Sequence, residues 1–433
     1  MQVLHPSKLK LLHEAGWLIL GQVSTLAASL YAVRILTGYL GPEQYGNFAL
    51  GLTIAALVNQ VVFGGLSNGI ARYFVVAAEK RNLGGYFNAS LQIITKATSL
   101  ILFLGFFVIA GIYYLDYVQW LGLGIVVLIY SVLNGFSSTV SAIQNTARQR
   151  LAVVFSNGFD SWAKIACAVG CLTMFGGSGA AVILGYIASS FLTICLQFHF
   201  LSKSFGAAFA NRHNSSKWSK EILNYSQPFL LWGGFTWLQQ CSDRWALMWF
   251  SSSNEVGLYA ALSQIGYAPI SLGIGVLMSF LAPIFYGKSG DGNDHKRNTE
   301  VKIATMQILV FCLLITFLGF ILAFKFHELI FEILVAPTFK SVSYFLPWMI
   351  LAGGVFAAGQ IISLQLMSDM KTVVMTNAKI YTALMGSTLN IIGAYLFGIL
   401  GIVIAQITFS FIYFLWMMAI SDIISISKFN KNI

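Results

Sequence analysis

"SDRWALMWFSSSNEVGLYAAL" (242–262) reads as an apolar helix that breaks at a run of serines and gives way to a second apolar helix. The same plan occurs earlier, in "VRILTGYLGPEQYGNFAL" (33–50). Arg34 there takes the place of Arg244. "EQYGNFA" (43–49) matches "NEVGLYA" (254–260) at Gly46/Gly257, Phe48/Tyr259 and Ala49/Ala260. A second echo joins "FGGSG" (175–179) to "FGILG" (397–401) at three positions. Each match alone is weak in a chain with 40 glycines, but together they fall at equivalent places, as a duplicated chain requires.

The composition says what surrounds these helices. The 433 residues are 57% hydrophobic and only 9% charged, with a mean hydropathy of +0.76. Soluble domains carry about 25% charged residues, so the chain is an all-α integral membrane protein. Apolar stretches of spanning length recur at 15–37, 46–70, 97–115, 120–142, 152–174, 179–200, 226–250, 257–283, 303–324, 343–366, 380–398 and 400–421. That predicts twelve transmembrane helices. The first stretch is too long for a signal-peptide core and no small-x-small site closes it. The basic, polar segment 201–225 follows the sixth span. It is expected to link an N-terminal half (1–200) to a C-terminal half (226–433).

The basic residues give the orientation. With a cytoplasmic N-terminus, 20 of the 25 Lys+Arg fall in cytoplasmic segments, among them Arg72, Arg212, Lys371, Lys379, Lys428 and Lys431. Only Lys325 and Lys340 fall outside, and Arg34, Lys164 and Arg244 lie within spans. Both termini are therefore expected in the cytoplasm. The net charge of +10 is a record of topology, which removes nucleic acid as a partner.

A charge inside the bilayer is expensive and usually faces a cavity or a partner. Five such residues stand out. Asp160 and Lys164 are four apart and share a helix face. They read either as a self-neutralising pair that lets the helix insert, or as a polar face toward a cavity with Asp160 able to exchange a proton. Asp243 and Arg244 are adjacent, so they point about 100° apart and do not pair simply with each other. Arg34 and Arg244 read either as snorkelling cations or as two related cations beside a cavity, suited to an anion such as phosphate. Asn59, Gln60, Gln365 and Asn390 are expected mainly as interhelical hydrogen-bond partners. Pro269 and Gly273 suggest a break in the eighth span. The five cysteines sit in apolar segments with no spacing for a metal site, so no metal and no cofactor are expected. No Walker motif is present, so the chain does not hydrolyse ATP itself. If protons are coupled, Asp160 and Asp243 are the carboxylates in place.

"VRILTGYLGPEQYGNFAL" (33–50), "GLSNGIARYFVVAAEKRNL" (65–83) and "SDRWALMWFSSSNEVGLYAAL" (242–262) resemble the Wzx-type polysaccharide (O-antigen) flippases of the multidrug/oligosaccharidyl-lipid/polysaccharide exporter superfamily. The resemblance implies two six-helix halves around a central cavity open alternately to each side of a bacterial inner membrane. It implies an undecaprenyl-diphosphate-linked oligosaccharide as substrate and coupling to protons or sodium. It also implies a shared pathway with a polymerase and a chain-length regulator. By position, Arg34, Lys164 and Arg244 become the cavity cations, with Arg72 near the cytoplasmic mouth. No bond is made or broken, so the protein is not expected to be an enzyme. Two alternatives stand beside this. One is a multidrug antiporter, which the three basic and two acidic intramembrane residues disfavour. The other is a membrane-embedded polymerase, which the short outer loops disfavour.

Overall fold

The computed structural model describes residues 8–210, 216–290 and 294–421. Of the cytoplasmic cations expected above, Arg212, Lys428 and Lys431 lie outside the described residues. The α-helices run in order α1 (Lys8–Tyr39), α2 (Pro42–Val58), α3 (Gly64–Glu79), α4 (Leu83–Tyr114), α5 (Leu121–Thr146), α6 (Arg150–Phe175), α7 (Gly179–Ala210), α8 (Ser216–Phe250), α9 (Ser253–Gly266), α10 (Ala268–Ser289), α11 (His295–Leu334), α12 (Leu346–Ser368) and α13 (Thr372–Ser421).

Among the described residues, nine helices are long and apolar enough to cross a membrane, fewer than the twelve spans expected. α6 and α8 fall outside that set because Asp160, Lys164 and the polar run through Asp243 and Arg244 lower their average hydropathy. The last two expected spans are two helices that meet at Gly398 (φ 55°, ψ −131°), a non-helical break inside the segment α13 at which Gly393 and Gly401 come face to face. The expected eighth span is broken at Tyr267, just ahead of Pro269. Pro269 occupies the first turn of α10, where a missing N–H leaves no helical bond unmade. Gly273 lies within α10 and does not interrupt it. Phe103, Phe106 and Phe107 of α4 are each more than half exposed, a surface that suits lipid and not water.

The chain forms two compact units, Met1–Leu40 with Asn47–Trp237, and Gly41–Gly46 with Leu238–Ile433. The boundary falls inside α8.

In the first unit Phe63, Ile70, Tyr86 and Ile222 form the buried centre. Phe63 ends a π-helical turn, Asn59–Phe63, and its ring lies against Gly135, where a Cβ would come within 2.0 Å of it. Asn59 donates to Ala55 O at 3.0 Å and Ser131 O at 3.5 Å, so it links α2 to α5 as expected of an intramembrane amide. α6 and α7 cross closely because Gly185 has no side chain; a Cβ there would lie 2.5 Å from Ala168 Cα.

In the second unit α12 is apolar all round and lies at the centre, packed by α10, α11 and α13. The segments 41–46 and 253–257 meet reciprocally in this unit. A Cβ on Gly46 would lie 1.9 Å from Ser253 O, and one on Gly257 1.8 Å from Pro42 O. Two matched motifs thus touch through their shared glycine. The duplication is also legible in backbone angles. Gly176 (φ 87°) and Gly398 (φ 55°) fall in the two glycine echoes, and Arg148 (φ 58°) and Met370 (φ 59°) end α5 and α12 at the same separation in sequence.

Candidate functional site

In the first unit, α6 places Asp160 and Lys164 one turn apart. The ammonium donates to Asp160 Oδ2 at 2.6 Å, with the two side chains 21% and 19% exposed. The second carboxylate oxygen, Oδ1, accepts from Ser189 Oγ at 3.0 Å and Thr193 Oγ1 at 3.2 Å, both on α7. Lys164 Nζ also lies 5.8 Å from the Tyr130 ring centre and 5.6 Å from that of Tyr186. Both carboxylate oxygens are therefore engaged, and the ammonium sits between a carboxylate and two aromatic faces. Of the two sequence readings, self-neutralisation accounts for the contacts of this pair.

In the second unit the adjacent pair behaves differently. Asp243 is 5% exposed. Its Oδ2 accepts from the Tyr259 hydroxyl at 2.7 Å and its Oδ1 from the backbone N–H of Arg244 at 2.7 Å. The carboxylate is thus satisfied by a phenol and a peptide group. The Arg244 side chain is half-buried, and its Nε is buried and makes no hydrogen bond. Tyr45, Cys241 and Tyr259 lie within its electrostatic reach, together with Asp243. Hydrogen bonds from Asn390 to Ser242 Oγ (2.9 Å) and from Ser387 to Leu238 O (3.5 Å) fasten α13 to this part of α8. The result is a guanidinium on a rigid helix with donor capacity left over.

Arg34 and Arg72 are exposed side chains on α1 and α3 of the first unit. Several participants are invisible to sequence reasoning. Tyr259 is the partner of Asp243, and although the repeat marks its position, its match Phe48 carries no hydroxyl to suggest that role. Ser189 and Thr193 are common intramembrane residues. Lys379, read as a loop cation, is half-buried about two turns inside α13. The loop before it is only Asp369–Lys371, and the left-handed Met370 is the one local signal that the next helix starts so early.

Comparison with known proteins adds the family. The family described as "Polysaccharide biosynthesis protein" matches residues 11–286. No curated protein matches the chain. Among solved structures, the chain is similar to the lipid II flippase MurJ in an inward closed conformation, with a TM-score of 0.70 and 14% identity over 96% of this chain and 90% of that one. It is similar to an inward-facing multidrug resistance MATE family transporter of the MOP superfamily (TM-score 0.64, 17% identity, 93% and 99% covered). It is also similar to a MOP superfamily transporter from Pyrococcus furiosus (TM-score 0.61, 16% identity, 95% and 96% covered). At these identities the likeness establishes a transporter fold.

Proposed function

We propose, from the premise that this chain belongs to the polysaccharide biosynthesis protein family, that it is a flippase for an undecaprenyl-diphosphate-linked oligosaccharide, such as an O-antigen repeat unit. It works in the bacterial inner membrane by alternating access of two six-helix halves, with both termini cytoplasmic and with coupling to an ion gradient. A polymerase and a chain-length regulator of the same pathway would take up its product.

The observation that carries this reading is Arg244. It is a partly buried guanidinium whose Nε has no acceptor, while the neighbouring carboxylate is held by Tyr259. Such a group meets a diphosphate with charge-assisted hydrogen bonds. Arg34 and Arg72 are further cations for acidic parts of the headgroup, whereas the Lys164 ammonium is engaged by Asp160. The physical task fits the chain. The sugar head is too polar to cross hydrocarbon unaided, whereas the polyprenyl tail is at home in lipid. A cavity that shields the head and leaves the tail in the bilayer needs no catalytic residue.

The experiment is delivery of a lipid-linked oligosaccharide to the outer leaflet, followed in cells and in reconstituted vesicles. Loss of delivery on deletion, with membrane insertion of the other pathway proteins intact, is the expected result. Normal polymer export with lost drug resistance would replace this reading with the multidrug antiporter.

A further inference from the structure

We propose that Asp369 and Gln365 form a proton-binding pair at the end of α12, and that proton exchange at this pair is the ion step of transport. This rests on the flippase reading for its transport half and names where the coupling ion binds.

Asp160 and Asp243 are the carboxylates expected to exchange protons, but each has both oxygens engaged. Protonating Asp160 would have to displace an ammonium four residues away. Asp369 differs. It caps α12, one turn beyond Gln365, which is fully buried. Gln365 Nε2 donates to Asp369 Oδ2. The remaining oxygen of each group, Gln365 Oε1 and Asp369 Oδ1, is buried and accepts no hydrogen bond. Two acceptors left over on an amide and a carboxyl already joined by one hydrogen bond define the place of one proton. Held on Oδ1 and donated to Oε1, it closes a cyclic acid–amide pair in which every polar atom is matched.

The step balances as a carboxylate plus a proton giving a neutral carboxyl. The proton is taken up from the aqueous medium on one side of the membrane in one state of the transport cycle and released to the other side in the other state, and nothing is oxidised or reduced. The charged groups that reach Asp369 are Lys302 of α11 and Lys371 in the turn before α13, and both oppose protonation. α10 contributes the Tyr286 phenol, which touches Met367 Sδ at 3.9 Å and brings no charge. Burial outweighs the two lysines and pushes the Asp369 carboxyl above the ordinary carboxylate value. A group so balanced changes protonation when the lysines move away or water enters.

The test uses infrared difference spectroscopy on the full-length protein in lipid, titrated with acid and base in the absence of any substrate. A protonated-carboxyl band should titrate above the range of an ordinary aspartate. It should vanish in Asp369→Asn, persist in Asp160→Asn and Asp243→Asn, and shift in frequency in Gln365→Leu. Asp369→Asn should fold as well as the parent, because an asparagine amide reproduces the donor on the Gln365 Oε1 side. A band that survives Asp369→Asn, or an Asp369 that titrates as an ordinary carboxylate, overturns the site. In vesicles carrying a lipid-linked oligosaccharide, Asp369→Asn should abolish the acceleration by an imposed pH gradient while exchange without a gradient continues. Unchanged acceleration overturns the coupling. A parent protein that moves no lipid-linked oligosaccharide, yet shows the Asp369 band, overturns the flippase reading and leaves the site standing.

Discussion

The two intramembrane charge pairs have similar residues and opposite fates. Asp160 and Lys164 are four apart on α6, so the helix brings them together and they close on each other. Asp243 and Arg244 are adjacent on α8, so the helix sends them apart and each must look elsewhere. Asp243 finds Tyr259 and the next peptide N–H. Arg244 keeps a buried Nε without an acceptor. Sequence spacing alone therefore separates a pair that stabilises its own helix from a pair that leaves one cation available for a ligand.

The largest effect should come from breaking the closed pair. Asp160→Ala leaves the Lys164 ammonium without its counter-charge, and loss of one partner from a buried pair costs about 3–5 kcal/mol. Thermal unfolding in detergent should fall sharply for Asp160→Ala and for Lys164→Met, and less for the double variant than for the two effects added. Full additivity would mean the residues do not act as a pair. A smaller effect is expected at the open pair. Tyr259→Phe removes one hydrogen bond to a charged group, worth about 1.5–3 kcal/mol. It also frees Asp243 to turn toward Arg244, so transport should fall more than stability does; a loss of stability with unchanged transport would break that link. Smaller again, Thr193→Val should cost about 0.5–1.5 kcal/mol, because Ser189 still donates to the same oxygen. A loss as large as that of Asp160→Ala would show that α7, and not Lys164, holds the carboxylate.

Much of this comparison was legible beforehand. Hydropathy located the helices, and the spacing of 160/164 against 243/244 separated the two pairs. The glycine echoes pointed to positions that share a positive φ or a reciprocal contact, because only glycine serves there. The partners were not legible. Tyr259 meets Asp243 across the two-residue turn Ser251–Ser252 that joins α8 to α9. Gln365 was read as interhelical glue, yet it bonds one turn along its own helix. Lys379 lies inside α13 and not in a loop, because only the three-residue turn Asp369–Lys371 separates α12 from α13.

The measurement that bears most directly on the account is binding of a polyprenyl diphosphate to the purified protein, compared between Arg244→Gln and Lys164→Gln. Loss of a charge-assisted contact worth about 1.5–3 kcal/mol should weaken binding by roughly tenfold or more in Arg244→Gln. Lys164→Gln should bind nearly as the parent does, since its ammonium is already engaged. Equal affinity of Arg244→Gln and the parent, or a larger loss in Lys164→Gln, would contradict the assignment of Arg244 as the available cation.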